Sequence, residues 1–193
     1  VTAFVHPGES ALLVVANLDH VGYTLRLSPD LQKLDLPGGL LARREQGIVY
    51  FAPRGEATAL PPRRLEIPGS VELPEANIRI ECEESPEAFT PAQATLNASR
   101  WQVYVSRESL APPLTVRSRR PGDVFHPLGA PGSVKLKDFF INSKVARHRR
   151  DTIPLVIDAR GNIVWVVGRR IAEGVRLPDG GARALKLRAS PMD

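Results

Sequence analysis

Across 193 residues, 42% of them hydrophobic and with 26 Lys and Arg set against 21 Asp and Glu, the chain can bury one sizeable core or two small ones. No run approaches the roughly 20 apolar residues that span a bilayer, because the longest, Ala11 to Ala16, is broken by Asn17 and Asp19; a transmembrane helix is excluded. A lone cysteine, Cys82, excludes an internal disulfide and a thiolate metal cluster and fits a reducing cytoplasm.

At the N-terminus no basic residue precedes the first apolar stretch and His6-Pro7-Gly8 interrupts it, so it is not a secretory signal. The only methionine is Met192, so the chain reads as a piece of a longer protein. Gly8 to Ala16 suits either a short helix capped by Ser10 or a strand carrying Leu12, Val14 and Val15. Val21, Tyr23, Leu25 and Leu27 have the period of a half-buried strand. Ser28-Pro29-Asp30 predicts a short helix to about Lys33, ended by Pro37-Gly38-Gly39. Ile48 to Ala52 is a strand, and the prolines between 53 and 75 leave room only for brief or edge strands at Leu65 to Ile67 and Val71 to Leu73. Ile78 to Cys82 alternates cleanly, Glu83 to Ser99 reads as a loop, and Trp101, Val103 and Val105 put one face of a strand into a core.

The charge balance changes at Pro112-Pro113. Residues 1–113 hold ten bases and fourteen acids, net −4, whereas residues 114–193 hold sixteen bases and seven acids, net +9. Two domains with different partners are expected, 1–113 and 114–193. In the second, Leu114 and Val116 alternate with Thr115, Arg117 and Arg119, so a strand is expected to offer two arginines on one exposed face. Pro121-Gly122-Asp123 is a turn. The i, i+3, i+4 spacing of Leu136, Phe139 and Phe140 predicts a helix. Asn142-Ser143 ends it and caps another, Lys144 to Arg150. Leu155 to Ile157 and Ile163 to Val167 flank Asp158-Ala159-Arg160-Gly161-Asn162 as a hairpin. The second run has no polar face and is expected to be the central buried strand, while Ala182 to Arg188 ends the sheet. The whole is an α+β, β-rich fold with mixed or antiparallel sheets and a few short helices.

Motifs for chemistry are sparse. Gly38-Gly39 and Gly180-Gly181 lack the Lys and Ser/Thr of a phosphate-binding loop. His6, His20, His126 and His148 show no metal-ligand spacing. Cys82 lies in a strand pattern among acids, which suits an inert thiol. Asp123 closes a turn and Asp138 neutralises a neighbouring cation, so neither a catalytic nor a metal residue is assigned. What stands out is residues 114–151, where nine Lys and Arg meet three acids for a net charge of +6. The candidate phosphate contacts are Arg117, Arg119, Arg120, Lys135, Lys137, Lys144, Arg147, Arg149 and Arg150. Six of the nine are arginines, whose forked guanidinium suits phosphate oxygens.

The order Leu114-Thr-Val-Arg117-Ser-Arg-Arg-Pro-Gly122-Asp123-Val-Phe125, Pro127-Leu-Gly129, Gly132, Lys135-Leu-Lys-Asp-Phe-Phe-Ile141, Lys144-Val, Arg150-Asp, Ile153-Pro-Leu155 and Ile163-Val-Trp165 with Gly168 resembles the C-terminal domain of the tRNA(Ile)-lysidine synthetase family over about 114–173. Leu34-Asp-Leu-Pro-Gly-Gly39 with Ile67-Pro-Gly69 resembles, more loosely, the region before that domain. Ala146 stands where the family pattern has proline, and Val124 where it favours a basic or polar residue. The resemblance implies a ligase that uses ATP and Mg²⁺ to join lysine to the wobble cytidine of isoleucine tRNA with a CAU anticodon. That chemistry belongs to an N-terminal PP-loop domain whose motif does not occur in this chain. The implied role here is to grip the acceptor-stem side of the tRNA, with no cofactor of its own and with the PP-loop domain as partner. The implied fold is like a domain of the phenylalanyl-tRNA synthetase β chain. A homodimer is left open, and the alternative reading is a stand-alone basic module that binds RNA or a protein.

Overall fold

The computed structural model describes residues 2–4, 11–16, 22–27, 33–36, 40–45, 48–53 and 59–192. Contacts divide the chain into two units, Val1–Glu56 and Ala57–Asp193. In the first, the alternating segments become β1 (Thr2–Phe4), β2 (Ala11–Ala16), β3 (Gly22–Leu27), β4 (Lys33–Leu36), β5 (Leu40–Glu45) and β6 (Ile48–Pro53). β2 and β3 form an antiparallel pair, and the rest form a sheet in the order β1-β6-β5-β4. The segment that suited either helix or strand is therefore strand β2. The helix expected from Ser28 lies outside the described residues except at its end, where Lys33 opens β4.

The second unit is built on two antiparallel sheets. One contains β8 (Gly69–Leu73), β9 (Ile78–Phe89), β10 (Gln102–Ser106) and β17 (Ala182–Pro191) in the order β10-β17-β9-β8. The other contains β7 (Arg63–Leu65), β11 (Leu114–Arg117), β14 (Leu155–Ile157), β15 (Ile163–Val166) and β16 (Arg170–Ile171) in the order β16-β15-β14-β11-β7. β12 (Val124–Phe125) pairs with β13 (Val134–Lys135), which leads into helix α2 (Leu136–Asn142). The core includes Leu65, Leu73, Ile80, Leu114, Phe125, Leu136, Phe140, Leu155, Trp165, Leu185 and Leu187, all buried. Each such side chain contributes about 1.5–3 kcal/mol on leaving water. Among the described residues no helix is long and apolar enough to cross a membrane.

Several expectations change. β7 pairs with β11, and β9 and β10 both pair with β17. Both sheets thus draw on residues from either side of Pro113, and the division there is one of charge rather than of packing. Glu83–Ser99 is not a loop: β9 runs on to Phe89 and helix α1 (Pro91–Asn97) follows. Pro86 is tolerated because Glu84 and Ala88 pair with Leu185 and Arg183, leaving Pro86 in an irregularity of the ladder where no N–H is required. The α1 start is a capping box, in which Thr90 Oγ1 accepts from Gln93 N–H and Gln93 Oε1 accepts from Thr90 N–H. Ile163–Val166 is fully buried as expected, but the central strand is β14. β17 is not the end of that sheet but an inner strand of the other one. The second helix, expected over Lys144 to Arg150, shrinks to a 3-10 turn at Arg147–Arg149.

Candidate nucleic-acid interface

The nine basic candidates of 114–151 separate once their neighbours are known. Arg117 ends β11, an interior strand between β7 and β14, and is 8% exposed rather than on an open face. Its Nη1 and Nη2 donate to Asp123 Oδ2 and Oδ1 at 2.8 and 2.9 Å, and Nη1 also donates to the Ser118 carbonyl at 2.8 Å. The Arg120 N–H completes the loop by donating to Asp123 Oδ2 at 2.7 Å. Burial pushes the Asp123 carboxyl up, but the Arg117 hydrogen bonds, the Arg120 N–H and both positive charges outweigh it and hold the carboxyl below its ordinary value. Arg117 and Asp123 therefore fix the 117–123 loop, and Arg117 is not placed to meet a ligand.

Next to it, Ser118 Oγ accepts from Leu60 N–H at 2.7 Å and donates to the Asp151 carbonyl. Arg119 is half-buried with Nε 2.9 Å from Asp151 Oδ1. Arg150 is half-buried and donates from Nε to the Val145 carbonyl at 3.0 Å. Two of the segment's three acids are thus consumed in pairs with Arg117 and Arg119, and they brace the loop rather than diluting the remaining cations.

Arg120, Lys135, Lys137, Lys144, Arg147 and Arg149 are exposed. Local structure explains why. Lys135 is the N-cap residue of α2, and the helix buries Leu136 and Phe140 on one side, which leaves Lys137 on the other. Phe139 packs edge-on against Phe125 at 5.0 Å between ring centres and pins the helix to β12. At the other end, Lys144 N–H donates to the Ile141 carbonyl and Val145 N–H to the Phe140 carbonyl, both at 2.9 Å. This is a Schellman ending, with Lys144 at φ +52° in the position that glycine usually takes. The chain then turns through Arg147–Arg149.

Sequence reasoning missed two further cations. Burial lowers the pKa of the Arg169 guanidinium, and the positive charges of Arg100 and Arg149 lower it further. Arg100 and Arg149 therefore each lie close enough to repel Arg169, although 69 positions separate Arg100 from Arg169. Arg169-Arg170 following Gly168 was the available signal, but it lies outside the densest basic stretch. Elsewhere the chemistry is quiet. Burial and the nearby Glu84 push the Cys82 thiol up to about 12, which keeps it protonated, and no cluster of three or more His, Cys, Asp or Glu suited to a metal occurs among the described residues.

Residues 114–187 match the family model described as the TilS substrate C-terminal domain. The tRNA(Ile)-lysidine synthase of Symbiobacterium thermophilum is 33% identical over 157 residues, 78% of this chain. That of Shouchella clausii is 36% identical over 151 residues, 77% of this chain. The chain spans 31% and 30% of the length of these two relatives. A solved structure, the crystal structure of a TilS C-terminal domain, superposes with a TM-score of 0.57 at 31% identity, covering 69% of this chain and 99% of that one.

Proposed function

Because this chain belongs to the TilS C-terminal domain family, we propose that it is the tRNA-gripping part of a tRNA(Ile)-lysidine synthase. In this reading it holds the acceptor-stem side of isoleucine tRNA while a PP-loop domain elsewhere in the same cytoplasmic protein attaches lysine to the wobble cytidine with ATP and Mg²⁺. The observation that carries the proposal is the exposed set Arg120, Lys135, Lys137, Lys144, Arg147 and Arg149, presented on one helix and the turns around it. Cations spaced over a rigid surface attract phosphates without reading sequence. The stand-alone module is the weaker reading, because the matched relatives carry this region as about 30% of a synthase.

The test is a titration of the chain with isoleucine tRNA across salt concentrations. With about four to six phosphate contacts, log affinity should fall against log salt with a slope of about −3 to −5. No binding, or a slope near zero, overturns the proposal. The chain alone should release no AMP from ATP in the presence of lysine and tRNA, and turnover above a mock purification would remove the assignment of ligation to a separate domain.

A further inference from the structure

Trp101 fits neither the core nor an ordinary surface. Its alternation with Val103 and Val105 predicts an inward-facing side chain, yet it lies just before β10 and is 42% exposed. Its backbone is held at both ends: the Trp101 N–H donates to Ser99 Oγ at 3.1 Å, and its carbonyl accepts from Ala189 N–H at 2.8 Å. The six-membered part of the indole rests on Gly168, which has φ +72° and where a Cβ would come within 2.8 Å of Trp101 Cζ3. Only glycine leaves room for the ring there. An exposed aromatic on a fitted seat is fixed in place before any ligand arrives.

Cations surround it. The Arg100 guanidinium carbon lies 5.0 Å from the centre of the Trp101 ring, within cation–π range. Arg169 directly follows Gly168, and the charges of Arg100 and Arg149 each reach it. Beside the ring runs a groove of about 530 Å³ that Trp101 shares with Asn97, Ser99, Gln102 and Arg188, a volume that accommodates a nucleotide. Like charges gathered at an exposed ring, beside a groove carrying amide and hydroxyl groups, match a ligand that is both flat and anionic.

We propose that Trp101 and Arg100 form a stacking platform for an unpaired nucleotide, whose phosphates are met by Arg149 and Arg169. This rests on the tRNA-binding reading and adds to it a single-stranded contact that shares Arg149 with the lysine and arginine surface around α2. Base-paired RNA offers no free base face, whereas an unstacked base in a loop or at a strand end does.

Two probes test it, a single-stranded adenosine hexanucleotide RNA and a blunt-ended RNA duplex. The other tryptophan, Trp165, is fully buried, so quenching of emission by the hexanucleotide reports on Trp101. Quenching is expected with the hexanucleotide and not with the duplex. Trp101→Leu should bind the hexanucleotide about tenfold more weakly, and Trp101→Phe should lose the quenching while binding more tightly than Trp101→Leu, since a phenyl ring still stacks. Arg100→Gln, at an exposed position, should weaken binding a few-fold. Equal quenching by the duplex, quenching that persists in Trp101→Phe, or unchanged affinity in both Trp101→Leu and Arg100→Gln overturns the platform. Absence of hexanucleotide binding alongside normal tRNA binding also overturns it and leaves the tRNA proposal standing; loss of both defeats the tRNA proposal itself.

Discussion

Lys186 and Arg149 are both surface cations, but they sit in opposite electrostatic settings. On the sheet of β8, β9, β17 and β10, charge is answered across the strands. Lys186 pairs with Glu83 directly opposite at 2.9 Å and Arg79 with Glu72 opposite it, and just after β10 Arg107 pairs with Glu84 and Glu108 with Arg183, both at 3.2 Å. Such cross-strand pairs contribute a few tenths of a kcal/mol each and cancel the field. Around α2 two of the three acids that could do the same, Asp123 and Asp151, are turned onto Arg117 and Arg119, and only Asp138, in the first turn of α2, stays exposed among the cations. Arg120, Lys135, Lys137, Lys144 and Arg149 stay exposed. What separates a footprint for a polyanion from a solvated face is therefore the pairing and not the number of bases.

The largest expected effect removes the brace. Arg117→Ala strands a nearly buried Asp123 carboxylate, and breaking a buried pair from one side costs about 3 kcal/mol. In a unit of this size that corresponds to a melting point lower by roughly 10 °C. Asp123→Asn should show the pH signature. The folded carboxyl has a pKa below its ordinary value, so its stabilisation is present above the unfolded value and is lost as pH falls through the folded one. The gap in urea midpoint between wild type and Asp123→Asn should be full at pH 7 and shrink progressively as pH is lowered below the ordinary Asp value of about 4. A constant gap would mean that the pair does not hold the loop through its charge.

The next effect is on binding rather than stability. Lys137→Glu with Arg149→Glu reverses two exposed charges, so the fold should survive within about 0.5 kcal/mol. Affinity for tRNA should drop at least tenfold, about 1.4 kcal/mol, with a shallower salt slope. Lys186→Glu with Arg183→Glu makes the same change in charge on the paired sheet and should leave binding within about twofold. Equal losses in the two variants would mean that total charge, and not its pairing, drives association.

Periodicity made the hydrophobic half of this structure readable. The all-apolar Ile163 to Val167 and the i, i+3, i+4 face of Leu136, Phe139 and Phe140 became buried elements because nothing competes with burial there. The misreadings cluster where a tertiary partner decides. Glu83 to Ser99 reads as a loop, but β9 runs through Pro86 because a ladder irregularity against β17 excuses its missing N–H. Thr90-Pro91 with Gln93 was a readable helix start, passed over for lack of apolar periodicity in an α1 that buries no residue. Arg117 sits at the outward phase of its strand, yet no alternation pattern can say that an acid six residues on will fold back onto it. Trp101 was assigned to the core by the same alternation, because hydrophobicity does not distinguish a ring that packs inward from one seated on a distant glycine. Arg100 and Arg149 likewise come near Arg169 only through the fold.

The smallest effect concerns Lys144, where stability and binding should part company. With φ at +52°, Lys144 occupies a backbone region that costs a residue with a Cβ about 1 kcal/mol, at a helix ending where glycine is the usual solution. Helix α2 tolerates this because both Schellman hydrogen bonds form and Val145 is buried beyond the turn. Lys144→Gly should therefore raise stability by about 0.5 kcal/mol, the relief of strain being partly offset by the extra freedom of glycine in the unfolded chain. The same change deletes one cation from the exposed surface, so tRNA affinity should fall severalfold and the salt slope should decrease in size by about 0.7–0.9. Thermal melts and tRNA titrations on this variant decide between two roles for the residue. A gain in stability with a loss of binding places Lys144 among the phosphate contacts, with its strain retained for that purpose. A gain in stability with binding and salt slope unchanged would confine the footprint to the remaining exposed cations.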